Sequence, residues 1–148
     1  METAISKTTA EADIRKVIDS WQKAATAGDL DAIMSHYTQD VVAFDAILAL
    51  QFKGLDTYRK HWQACLTMCS GPMIFKMQEL NITASDDIAF SHCLNQCGGT
   101  DKDGNEHSSW MRVTTAYRKT NGQWRIVHEH FSAPFDPESG KALFELRP

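Results

Sequence analysis

The sequence has no run of apolar residues approaching the roughly 18 that a membrane span needs, and its first ten residues, Met1 to Ala10, hold no hydrophobic stretch. Neither a secretory signal nor a membrane anchor is expected, so the expected location is cytoplasmic. Positive charge is scarce as well: 15 Lys and Arg stand against 19 Asp and Glu, for a net charge of −4, and the basic residues form no stripe. A phosphate backbone would find nothing to bind, which excludes nucleic acid as an expected partner. The four cysteines, Cys65, Cys69, Cys93 and Cys97, lack Cys-x-x-Cys spacing, and a chain of this size does not need disulfide staples. They are read as reduced thiols acting as small buried hydrophobes. Cys93 and Cys97 would lie about 13 Å apart on a strand, too far to share a zinc ion or a disulfide.

What is present fits one globular domain. A chain of 148 residues with 43% apolar and 9% aromatic residues can bury a single core. Ile14, Val17, Ile18, Trp21, Ala24 and Ala25 recur at helical spacing, which predicts a helix over about 12–27, with Thr8 and Glu11 as a capping box and Gly28 as the stop. Asp29 then caps a second helix carrying Leu30, Ile33, Met34 and Tyr37. The segment Val41 to Phe52 turns β-rich, and Gly54 with Asp56 opens a third helix bearing Tyr58, Trp62, Cys65 and Cys69. From Met73 the helical period is gone, and turn signals divide the rest into four β runs, about 74–84, 88–97, 106–119 and 123–133. Asn121-Gly122 between Tyr117 and Trp124 predicts a tight hairpin.

Three helices followed by an antiparallel meander describe an α+β domain in which a curved sheet wraps around helices and leaves a concavity suited to a ligand. The expected organisation is a flexible N-terminus over 1–10, a domain over 11–134 and a C-terminal tail over 135–148.

Several stretches in order then carry a resemblance. Ala27-Gly28-Asp29-Leu30-Asp31-Ala32-Ile33, Tyr37-Thr38-Gln39-Asp40-Val41, Phe52-Lys53-Gly54 and Trp124 to Ser132 resemble the SnoaL-like and ketosteroid isomerase-like branch of the nuclear transport factor 2-like superfamily, across residues 11 to 134. The resemblance implies a cone-shaped, mixed but mainly antiparallel sheet around about three helices. Helices on only one side of an open sheet leave its other face apolar and exposed, so a homodimer is expected; no organic cofactor is expected. In the isomerases an aspartate base works beside two oxyanion donors. The position of the base matches Asp45. The tyrosine donor falls at Trp21 and the acid donor near Thr114 or Thr115, so the resemblance does not extend to true steroid isomerisation. The superfold hosts isomerases, cyclases, dehydratases and association modules alike.

Asp45 is the only ionisable residue between Val41 and Phe52, where desolvation would disfavour its charged form and suit it to proton transfer; alternatively it faces outward or accepts backbone N–H bonds. His128 and His130 lie two apart on a strand, on one expected face with Trp124, Ile126 and Ser132, as catalytic or binding residues of a pocket wall. A metal site would need further ligands, and none is expected. Arg112, with Trp110 and Thr114 on one expected strand face, is a candidate anchor for an anion or carbonyl, or else an ion-pair partner. Trp21, Tyr37, Trp62 and Phe90 complete the candidate substrate-binding set, although aromatic stripes also serve packing. The loop 101–106 suggests a fragment of a calcium site but lacks its span, so a solvated turn is expected.

Two functional expectations follow. One is a domain binding a small apolar carbonyl or polyketide-like compound, any chemistry being of the acid/base isomerase, cyclase or lyase kind, with Asp45 as base. The other is a non-catalytic homodimeric association or ligand-binding module. The dimer is expected through the convex sheet face, with Val113, Tyr117 and Phe131 in contact.

Overall fold

The computed structural model describes residues 4–148, with side chains from Thr9 onward. Helix α1 runs Ala4–Ala27, eight residues further back than its apolar period predicts, and Thr8 and Glu11 lie inside it rather than at its cap. Of the segment expected to be flexible, residues 4–10 are helical and 1–3 lie outside the described residues. Ile14, Ile18, Trp21 and Ala25 form its buried stripe. The Gly28 N–H closes the helix on the Ala25 carbonyl at 3.1 Å, and the Asp29 carboxylate accepts from the Ala32 N–H to cap α2, Leu30–Met34. A helix capped in this way satisfies one of the orphan N–H groups of its first turn. Tyr37, expected on this helix, instead begins strand β1, Tyr37–Phe44. After an irregular stretch come β2, Phe52–Lys53, and α3, Leu55–Thr67.

Strands β3 (Ile74–Ala84), β4 (Ile88–Thr100), β5 (Glu106–Thr120) and β6 (Gln123–Ser132) form the meander. With β1 and β2 they make one six-stranded sheet of order β2-β1-β6-β5-β4-β3, in which β1 runs parallel to β6 and all other pairs are antiparallel. Asn121 and Gly122 both take positive φ, 54° and 78°, as the β5–β6 hairpin turn requires. The helices cover one face of the sheet, the inner face. There Phe75, Ala89, Val113, Tyr117, Ile126 and Phe131 meet Ile14, Ile18, Trp21 and Trp62 in a single core.

One irregularity decides which residues reach that core. Tyr117 pairs with Ile126, whereas Ala116 pairs with His128, so Val127 has no partner. A single extra residue reverses the alternation beyond it. Trp124 and Ile126 pack inward before the bulge, and Glu129 and Phe131 are the buried residues after it. His128 and His130 consequently leave the face of Trp124 and Ile126. Val113, Tyr117 and Phe131, expected on an exposed convex face, are core residues. Among the described residues no helix is long and apolar enough to cross a membrane.

Candidate functional site

Two chambers lie between the helices and the inner face of the sheet. The first is open to solvent at one end of the cone and holds about 300 Å³. It is built from the residues after β1 (Asp45 to Ile47), the end of α3 (Trp62, Cys65) and the chain beyond it (Met68, Cys69), Met73 and Phe75, the end of β4 (Cys97 to Gly99), Met111 and Phe131. Its walls are apolar except for Asp45. The chain folds closely there because residue 99 is glycine: a Cβ on it would collide with Cys69 Sγ.

Asp45 does not lie within a strand; it is the first residue after β1, partly exposed at the chamber. Its Oδ2 accepts from His61 Nε2 at 2.8 Å. The His61 side chain is buried, with 2% of its surface exposed against 20% for Asp45, and its ring stacks on Phe52 with centroids 4.0 Å apart. Cys65 Sγ lies 3.7 Å from the same nitrogen. Burial first, and the Asp45 charge second, push the Cys65 thiol up to about 11. Cys97 is pushed up to about 12, again by burial first. All four cysteines are unpaired.

The second, inner chamber is small, about 30 Å³, between α1 and strands β3 to β6. Trp21, Asn95, Thr115 and Glu129 are among its walls, and Phe131 lines both chambers. Glu129 is the buried carboxyl of the protein's interior: Tyr37 Oη donates to its Oε1 at 2.8 Å, Tyr58 Oη donates to the same oxygen, and Trp21 Nε1 donates to Tyr37 Oη at 2.8 Å. Desolvation dominates, so the Glu129 carboxyl is pushed up to about 7 even though both tyrosines favour its ionised form and the Asp45 charge adds to the rise. Burial, and then the Glu129 charge, hold both tyrosines well above their ordinary value.

The residues picked out in the sequence divide accordingly. Asp45, Trp21 and Trp62 line the chambers, and Tyr37 supports Glu129. Trp110, Arg112, Thr114 and Phe90 alternate with the inward-facing Met111, Val113, Thr115 and Ala89, and so lie on the outer face; Arg112 Nε donates to Ser132 Oγ at 3.2 Å rather than pairing with a carboxylate. His128 Nδ1 lies 2.6 Å from the Val42 carbonyl, and Phe44 packs against both His128 and His130. Neither histidine lines a chamber with Asp45. The Asp101 carboxylate accepts from the backbone of Asp103 and Asn105, both at 2.9 Å, which makes 101–106 a self-satisfied turn. Among the described residues no group of three or more His, Cys, Asp and Glu side chains is placed to hold a metal ion.

Sequence reasoning passed over His61 and Asn95, and took Tyr58 only as an aromatic and Glu129 only as an ion-pair partner for Arg112. His61 and Tyr58 were visible as polar groups on the apolar stripe of α3 shared with Trp62 and Cys65. Asn95 falls in the alternating series Ala89, Ser91, Cys93 and Cys97. Glu129 was hidden by the bulge at Val127.

A curved sheet wrapped over three helices, with its concavity opening beside a carboxylate and histidine, defines the cone-shaped α+β class. The chain belongs to the SnoaL-like domain family, whose model matches residues 14–136, and thereby to the nuclear transport factor 2-like superfamily. It is similar to a nuclear transport factor 2-like protein of unknown function from Pseudomonas putida, with 47% identity over 95% of this chain and 98% of that one and a TM-score of 0.88. A candidate dehydratase of the same superfamily from Streptomyces avermitilis shares the fold at 14% identity, covering 82% and 93% of the two chains, with a TM-score of 0.73. The association domain of C. elegans CaMKII does so at 18% identity, over 86% and 98%, with a TM-score of 0.69. Among curated proteins none matches the sequence.

Proposed function

We propose that the protein binds a small, flat, apolar carbonyl compound in the open chamber and moves a proton on it without an organic cofactor. The supporting observation is the placement of Asp45: it is the one carboxylate among the described residues lining the open chamber, and His61 holds it from behind at 2.8 Å. In this reading Asp45 removes a proton from the carbon beside the carbonyl, the electron pair moves onto the carbonyl oxygen, and the proton returns at the same or a neighbouring carbon. Trp62 lines the same chamber, and its indole N–H is buried without a protein acceptor; in this reading a small shift of the ring brings that donor to the developing oxyanion. His128, His130 and Arg112 have no part in it.

The test is deuterium uptake. A panel of flat aryl ketones incubated with the protein in heavy water should lose the NMR signal of the α-proton faster than in buffer, and Asp45→Asn should abolish the gain while still binding the ketone. Uptake unaffected by that substitution contradicts the reading.

A non-catalytic ligand-binding module is the second reading, favoured by one observation: the densest titratable cluster, Tyr37, Tyr58 and Glu129, is enclosed in the interior rather than set on the open chamber. For either reading we propose a homodimer through the outer face of the sheet, which carries Phe90, 45% exposed, and further along the strands Leu94 and Trp110. The opposite face is already covered by helices.

A further inference from the structure

The polar groups that the proposed chemistry leaves unused meet at the inner chamber. Asn95, 1% exposed, has no hydrogen-bond partner for either amide atom among the described residues. A buried side chain amide left bare is rare and costly, and needs a reason. Glu129 lines the same chamber, with its Oε1 already taken by Tyr37 and Tyr58. The space, about 30 Å³, suits one water-sized group and cannot admit a ring. Its wall toward the open chamber is Phe131, the inward-facing residue of β6 that lines both.

We propose that Asn95 and Glu129 form a second binding point, which takes the terminal hydroxyl or carbonyl oxygen of an elongated flat ligand whose body lies in the open chamber. This rests on the open chamber being the ligand site. The chemistry of the two residues fits one oxygen: the Asn95 amide offers both a donor and an acceptor, as a hydroxyl requires. Glu129, pushed by burial up to about 7, offers either a proton or a lone pair near neutrality. The body of the ligand is specified by the open chamber, where six sulfur side chains, Cys65, Cys69, Cys97, Met68, Met73 and Met111, surround the space with Trp62 and Phe75. Polarisable sulfur packs well on aromatic rings. The ligand is therefore an aromatic or conjugated molecule with an oxygen at each end, one toward Asp45 and one reaching past a displaced Phe131 ring to Asn95.

Calorimetry with two matched probes, 2-naphthol and naphthalene-2,6-diol, tests this. Wild type should bind the diol about tenfold more tightly than the mono-ol, the effect of one well-made additional hydrogen bond. In Asn95→Leu that preference should vanish while the affinity for 2-naphthol stays. Asn95→Ala, which removes the amide without adding bulk, should behave alike and covers the case in which Leu fails to pack. Equal affinities in wild type, or a preference that survives both substitutions, overturn the second binding point and leave the inner chamber to water; 2-naphthol binding then still supports the open chamber. Failure of both probes to bind overturns the open-chamber reading and this inference together.

Discussion

Tyr37 and Glu129, 92 positions apart in the sequence, are joined by a 2.8 Å hydrogen bond across the parallel pair of β1 and β6. The tyrosine opens the first strand and the glutamate sits just past the bulge of the last, so the bond locks the register that sends Glu129 inward. Burial makes this carboxyl resist ionisation, although the tyrosine hydrogen bonds favour its charged form. In the folded protein it keeps its proton up to about 7, while the unfolded chain releases it near 4.5.

The group therefore contributes stability in full below 4.5, and loses it as pH rises to about 7, a change of about 3 kcal/mol. Glu129→Gln keeps an acceptor for both tyrosines but cannot titrate. Urea melts across that window should show wild type losing stability relative to the variant as pH rises; parallel curves would mean that burial does not perturb Glu129.

The thiols at the open chamber should be poor nucleophiles. Burial pushes Cys65 up to about 11 and Cys97 up to about 12, and the thiolate is the reactive species. Iodoacetamide at neutral pH should alkylate both far more slowly than it does free cysteine, as read by mass spectrometry. Rapid labelling of Cys65 would contradict the account.

Asp45 should be dispensable for folding. It accepts from His61 at 2.8 Å, and Asn retains an acceptor oxygen, so Asp45→Asn should shift stability at neutral pH by no more than about 1 kcal/mol. A much larger loss in urea melts would make Asp45 a structural group rather than the base.

The proposed dimer predicts a light-scattering mass near twice the 16.6 kDa of one chain. A mass of one chain at micromolar concentration would leave Phe90 and Trp110 facing water, and would end that proposal.

Most of the architecture was legible because its signals are local. The α1 stripe from Ile14 to Ala25, the stop at Gly28, the cap at Asp29 and the hairpin at Asn121-Gly122 each act within a few residues, and strand β3 falls where turn signals placed it. The site was less legible because its positions depend on pairing. Alternation put His128 and His130 with Ile126, and only the register against β5 reveals that Val127 is unpaired and that Glu129 and Phe131 take the inner face. The same uncertainty of facing misplaced Trp110, Arg112 and Thr114, because no local feature of β5 says which alternate set meets the helices. Asp45 was found through its isolation among apolar residues, but its partner His61 comes from another element, and nothing in either segment announces the contact.

The four tryptophans provide the most direct test of where a ligand goes, since each gives one indole N–H signal by NMR. Trp62 lines the open chamber, whereas Trp110 lies on the outer face of the sheet beside Arg112 and serves as an internal control. Titration with a flat aryl ketone should move the Trp62 indole signal downfield as its N–H gains an acceptor, with Trp110 unmoved. A shift of Trp110 with Trp62 unchanged would place the ligand on the outer face and contradict the account.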